Sequence, residues 1–192
     1  GCDLKVINPK DLNKPFRLGV LCMNHEGYHS LSVLLTKAFL TNNDAARGLV
    51  DPKWFDDGGS EGLIALSGAA QGELGSLLLG KKWALAHEAA ERFKAQFPGR
   101  FYVELQRAGR PTDELATARL ANFAVEEQLP VVATHPIQFL KPEDFEAHEV
   151  RCSIAEGYTL QDPRRVKRYT PEQYLKSEAE MCELFADIPA SI

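Results

Sequence analysis

No apolar run in the sequence approaches the ~20 residues that a membrane-spanning helix requires; stretches such as Leu77–Leu79 and Val131–Ala133 stay short. A helical membrane span is excluded. Cysteine is scarce and scattered: Cys2, Cys22, Cys152 and Cys182 form no CxxC pair, which fits reduced thiols in a cytoplasmic protein better than a disulfide frame or a zinc knuckle. Cys22 and Cys152 lie in apolar surroundings and are expected to be buried and inert. Positive charge is not in excess, because 22 Lys and Arg oppose 27 Asp and Glu for a net −5 over 192 residues. Such a balance argues against DNA binding over the whole surface, though not against a local basic patch. The chain opens Gly1-Cys2-Asp3 with no Met, no basic n-region and no apolar h-region, so the first residues are expected to be cut from something longer and carry no secretory signal. Internal repeats and low-complexity segments are also missing.

Hydrophobic residues, at 44%, and charged residues, at 26%, are in ordinary globular proportion, enough for one domain with a sizeable core. Phe16–Met23 is a compact apolar run between Pro15 and the polar Asn24-His25-Glu26-Gly27, and reads as a buried strand and turn. From Tyr28 onward, Leu31, Leu34, Leu35, Ala38 and Phe39 recur at the spacing of one helical face, and Thr41-Asn42-Asn43 stops the helix. Asp51-Pro52 predicts a short helix over Pro52–Phe55, with Trp54 and Phe55 as core anchors. Strands follow at Leu63–Leu66, Phe101–Leu105 and Leu129–Thr134; helices are expected over Gly72–Leu79, Trp83–Phe97, Thr112–Gln128 and Glu143–Ala155. Thr170 with Gln173, and Ser177 with Glu180, each satisfy a capping box and predict two further helix starts. Apolar strands alternating with helices favour parallel strands covered by helices, either as a barrel or as an open sheet. In both, function gathers at the carboxyl ends of the strands.

Those ends carry His25 and His135, which in a barrel converge as metal ligands with Glu104 as the carboxylate; ordinary loop histidines are the competing reading. Glu104 is the anomaly of the sequence, a carboxylate inside an apolar strand that costs several kcal/mol unless it is paired. A metal and an arginine such as Arg107 are equally open as its partner. Gly68–Gly75 lacks the spacing of a phosphate-cradling loop, and Ser67 lies outside any GxSxG elbow. Arg164, Arg165, Lys167 and Arg168 form the one concentrated basic run; it is a candidate contact for phosphate or an acidic partner, with solvated tail residues as the plain alternative.

Several ordered segments together resemble one family. They are Asn24-His25-Glu26-Gly27-Tyr28, Gly62–Gly68 (GLIALSG), Phe101–Leu105 (FYVEL), Leu129–Thr134 (LPVVAT), Asp144–Glu149 (DFEAHE) and Met181–Phe185 (MCELF). In this order they are similar to the PHP (polymerase and histidinol phosphatase) domain at the N-terminus of the alpha subunit of bacterial DNA polymerase III. The resemblance covers essentially the whole chain. It implies an α/β fold, a distorted (β/α)7 TIM-like barrel incomplete at its N-terminal side, with PHP residues over 1–160 and a helical exit segment toward the polymerase region over 161–192. It also implies that the family's opening HxH segment lies before Gly1, and that the polymerase palm, with its Mg, lies beyond Ile192.

Where the family keeps its metals, they support phosphoester hydrolysis through activated water. Here the acidic position survives as Glu104. The family's Gln-Asp-His-Gly is Gln106-Arg107-Ala108-Gly109, its Asn-Asp-Val-His is His135-Pro136-Ile137-Gln138, and its Ser-Gly-Cys is Ser67-Gly68-Ala69. Ala108 and Pro136 offer no donor and Gln138 no imidazole, so the expectation is a dismantled centre with no catalytic residues, no metal and no cofactor. The resemblance then implies a scaffold that docks the proofreading exonuclease (epsilon) subunit, within a parent chain that meets the other holoenzyme subunits and DNA. The competing expectation is a Zn- or Mn-dependent phosphoesterase or 3′→5′ exonuclease that uses His25, Glu104 and His135.

Overall fold

The computed structural model describes residues 1–41 and 47–192, so the Asn42-Asn43 stop lies outside the described residues. Among those described, six strands form one sheet: β1 (Cys2–Val6), β2 (Phe16–Cys22), β3 (Leu49–Val50), β4 (Leu63–Leu66), β5 (Phe101–Gln106) and β6 (Val131–Thr134), in the order β3-β1-β2-β4-β5-β6. The sheet does not close, consistent with an incomplete TIM-like PHP barrel. β4, β5 and β6 run parallel, joined by the helical crossovers α2 (Glu73–Leu79) with α3 (Trp83–Gln96), and then α4 (Asp113–Glu126). The expected short helix is a 3-10 turn over Pro52–Phe55, started by Asp51, which accepts from the Lys53 N–H at 2.9 Å. The remaining α-helices among the described residues are α1 (His25–Thr41), α5 (Phe145–Glu156) and α6 (Glu178–Leu184).

The expectation of parallel strands throughout is corrected at β2. It pairs antiparallel with β1 (Cys2↔Val20 to Val6↔Phe16) and with β4 (Gly19↔Leu66 to Cys22↔Leu63). A loop of nine residues, Ile7 to Pro15, returns the chain directly from β1 to β2, too short for the crossover that a parallel pair needs. β1 was not expected as a strand because Asp3 and Lys5 alternate with its buried Leu4 and Val6, so no continuous apolar run marks it.

The core joins the inner faces of α1 to α4 to the sheet. Phe93 stacks on Phe101 with centroids 4.6 Å apart, and Phe55 meets Phe97 at 5.2 Å. Phe185, far along the tail, is fully buried in the same core. The capping box at Ser177 and Glu180 does open α6, whereas at Thr170 the Gln173 side chain accepts from the backbone N–H and closes a turn with no helix after it. Cys22 and Cys152 are half-buried rather than enclosed.

Gly27 marks a close approach of α1 to the chain entering β4, since a Cβ there would lie 2.0 Å from the Gly62 carbonyl oxygen. Glycine inside a helix is ordinarily worse than alanine by up to ~1 kcal/mol. Here the order reverses: Gly27→Ala lowers stability by about 3 kcal/mol through overpacking against backbone. Urea unfolding checks this, and a raised midpoint would refute the close approach.

Candidate functional site

The reversal of β2 decides what stands at the carboxyl ends of β4, β5 and β6. It brings the start of β2, Phe16-Arg17, to this edge and sends its end, with His25 beyond it, to the opposite one. His25, exposed at the first turn of α1, and His135, after β6, therefore do not converge. Arg17 enters instead, a residue that sequence reasoning passed over. The signal was available, as a lone cation between the apolar Phe16 and Leu18 mirrors the lone anion of β5.

Glu104 is 1% exposed, and four donors surround its carboxylate. Oε2 accepts from Arg17 Nη1 and from the Gly68 N–H, each at 3.0 Å, while Oε1 accepts from Gln106 Nε2 at 2.9 Å and Thr134 Oγ1 at 2.5 Å. Its own N–H donates to Ser67 Oγ at 2.9 Å. The second guanidinium nitrogen of Arg17 meets Asp3 Oδ1 at 3.0 Å. Burial disfavours the charge on Arg17, but Asp3 and Glu104 outweigh it and raise its pKa above the ordinary value, so the guanidinium stays protonated. The network continues through Gln106 Oε1, which accepts from Arg110 Nη2 at 3.0 Å, and through Arg110 to the buried Asp113.

Arg107, the arginine weighed as the partner of Glu104, points the other way. It forms a bidentate pair with Asp187 at 2.6 and 2.8 Å and donates to the Leu184 carbonyl at 2.6 Å, holding the tail down over Phe185. The other strand-end positions are also committed to the tail. The Ala108 carbonyl accepts from Thr170 Oγ1, the Pro136 carbonyl accepts from Gln173 Nε2 at 2.9 Å, and the Gln138 N–H donates to the Gln173 carbonyl at 2.8 Å. His135 Nε2 donates to the Glu172 carbonyl at 2.7 Å, which leaves Nδ1 as a bare acceptor; that atom is buried without a partner. A cavity of about 530 Å³ opens here between Arg17, Gln106, Arg110, His135 and Arg168.

The basic run divides. Arg165 is buried against Glu149 on α5, so it is not a solvated tail residue; Arg164 pairs with Asp162 at 2.7 Å, Arg168 pairs with Glu156 at 3.1 Å, and Lys167 is exposed.

Residues 1–108 match the PHP domain family. The chain belongs to that family. It is similar to the DNA polymerase III subunit alpha of Escherichia coli (strain K12), 43% identical over 175 residues or 91% of the chain, and to that of Vibrio cholerae serotype O1, 44% over 176 residues or 92%. Against the same subunit of Pseudomonas fluorescens it is 42% identical over 193 residues, or 100% of the chain. The chain spans only 15–16% of the length of these relatives.

The side chains of this PHP domain do not fit the divalent ions that its family implies. Every oxygen of Glu104 is already engaged, Ala108 is a buried methyl, and Pro136 contributes only a carbonyl that Gln173 takes. Among the described residues no three His, Cys, Asp or Glu side chains gather into a group that could hold a metal.

The histidines give the domain a pH dependence. Burial lowers the pKa of His135, with Lys176 adding to it against the Glu172 carbonyl, and burial and then Arg151 lower that of His148. Below the unfolded imidazole value of about 6.5, the unfolded chain binds more protons than the folded one, so stability falls as pH drops through the window toward the folded values. Urea midpoints should fall from about pH 7.5 to about pH 5.5, and the double variant His135→Asn/His148→Asn should lose most of that slope. An unchanged slope would contradict the assignment.

Proposed function

We propose that the chain is the PHP portion of a replicative DNA polymerase III alpha subunit, and that this portion is a noncatalytic scaffold that docks the proofreading exonuclease (epsilon) subunit. The observation that carries the reading is the saturation of Glu104 by Arg17, Gly68, Gln106 and Thr134. A carboxylate whose two oxygens are held by four donors is unavailable to a metal. Ala108, Pro136 and Gln138, at the positions where the family resemblance expects ligands, serve as seats for the tail instead.

A rigid domain freed from chemistry still presents a preformed surface to an extended segment of another protein. The parent chain supplies DNA-directed DNA polymerase activity with Mg in its polymerase region, meets DNA and the other holoenzyme subunits there, and works in the cytoplasm. Similarity to polymerase III alpha subunits over nearly the whole chain supports this placement, as does the net charge of −5, which suits a domain that holds protein rather than nucleic acid.

Titration calorimetry with the C-terminal segment of the exonuclease subunit at ~50 µM is expected to give a saturable complex, and the absence of any complex would overturn the docking role. The noncatalytic role has its own test. Stoichiometric zinc or manganese in the purified protein, with phosphoester hydrolysis abolished by Glu104→Gln, would overturn it in favour of the phosphoesterase.

A further inference from the structure

Arg17 sits where two carboxylates from different strands converge. Its two terminal nitrogens each stand 3.0 Å from an acid, Asp3 of β1 on one side and Glu104 of β5 on the other, and its side chain is only 24% exposed. Among the described residues, the buried member, Glu104, has no other positive charge against it; its remaining donors are a backbone N–H, an amide and a hydroxyl, all neutral. A cavity of about 350 Å³ is lined by Asp3, Arg17, Glu104, Gln106, Thr134 and His135; Asp3 is largely exposed there, whereas Glu104 is 1% exposed. His135, which also lines this cavity, donates through Nε2 to the Glu172 carbonyl and keeps Nδ1 buried without a partner.

We infer that Asp3 and Glu104 form a cation-binding site whose resident cation is the protein's own Arg17 guanidinium. A planar guanidinium spans two carboxylates with separate N–H donors, which a compact ammonium does with poorer geometry. Because the cation is covalently part of β2, its local concentration is fixed, and the edge that carries β4, β5 and β6 keeps its charge balance whatever the metal supply. The site belongs to the chain's structural economy; it rests on the noncatalytic reading only in that no metal competes for Glu104.

Removing the side chain exposes the site to outside cations. Arg17→Ala lowers the Tm of the purified protein by about 10 °C, as loss of one partner of a buried pair does, and Arg17→Lys loses less than half as much. Guanidinium chloride at ~20 mM, where its denaturing action is negligible, or MnCl2 at the same ionic strength, should restore at least a third of the loss in Arg17→Ala, saturably. Neither salt should do so in wild type or in Arg17→Ala/Glu104→Gln, with NaCl as the ionic-strength control. Should Arg17→Ala fail to refold, the same cations present during refolding should recover it.

Rescue by either cation supports the inference. Equal responses of Arg17→Ala and wild type to both cations, or an undiminished Tm in Arg17→Ala, overturn it. Metal-dependent hydrolysis by wild type would overturn the noncatalytic reading instead, so the two failures are distinguishable.

Discussion

A single buried carboxylate sets the terms for the functional edge of this domain. Glu104 projects from a strand whose neighbours Val103 and Leu105 are completely buried, in surroundings where an unpaired charge costs several kcal/mol. The structure resolves that cost by converging three neutral donors and one guanidinium on its two oxygens. Each donor comes from a different place along the chain, so the carboxylate ties β2, the turn after β4, β5 and β6 into one unit.

That convergence depends on the direction of β2. Had β2 run parallel to β4, its end with Met23 and His25 would have joined the strand ends and Arg17 would have lain at the far edge. The short return from β1 forbids this. Direction in the sheet thus exchanges an imidazole for a guanidinium at the carboxyl ends of β4, β5 and β6, and it does so without altering the order of elements along the chain. Around this centre the tail adds a second layer. Thr170, Glu172 and Gln173 occupy the backbone and imidazole groups of the strand ends, and Arg107 clamps Asp187 and Phe185. Strand ends committed in this way are suited to holding a shape.

Much of this architecture was legible in the residues. Strands β2, β4, β5 and β6 announce themselves as apolar runs bounded by turn residues, and the helices between them follow from 3.6-residue spacing, because both depend on neighbours close in sequence. β1 escaped because its outward residues are charged, and β3 because it has only two residues. The anomaly of Glu104 was visible from its apolar neighbours alone. Its partner was not, since Arg17 lies 87 positions away and reaches it only through strand order and direction, which no local pattern encodes. Arg107 was the nearer choice in sequence, yet one strand end places successive side chains on opposite sides, and Arg107 went to the tail.

A double-mutant cycle measures the coupling between Arg17 and Glu104 directly. Urea unfolding of wild type, Arg17→Met, Glu104→Gln and the double variant isolates the pairwise energy. A favourable coupling of at least about 1.5 kcal/mol is expected, as groups within one buried network show, whereas additivity to within about 0.5 kcal/mol would contradict the central role of the pair.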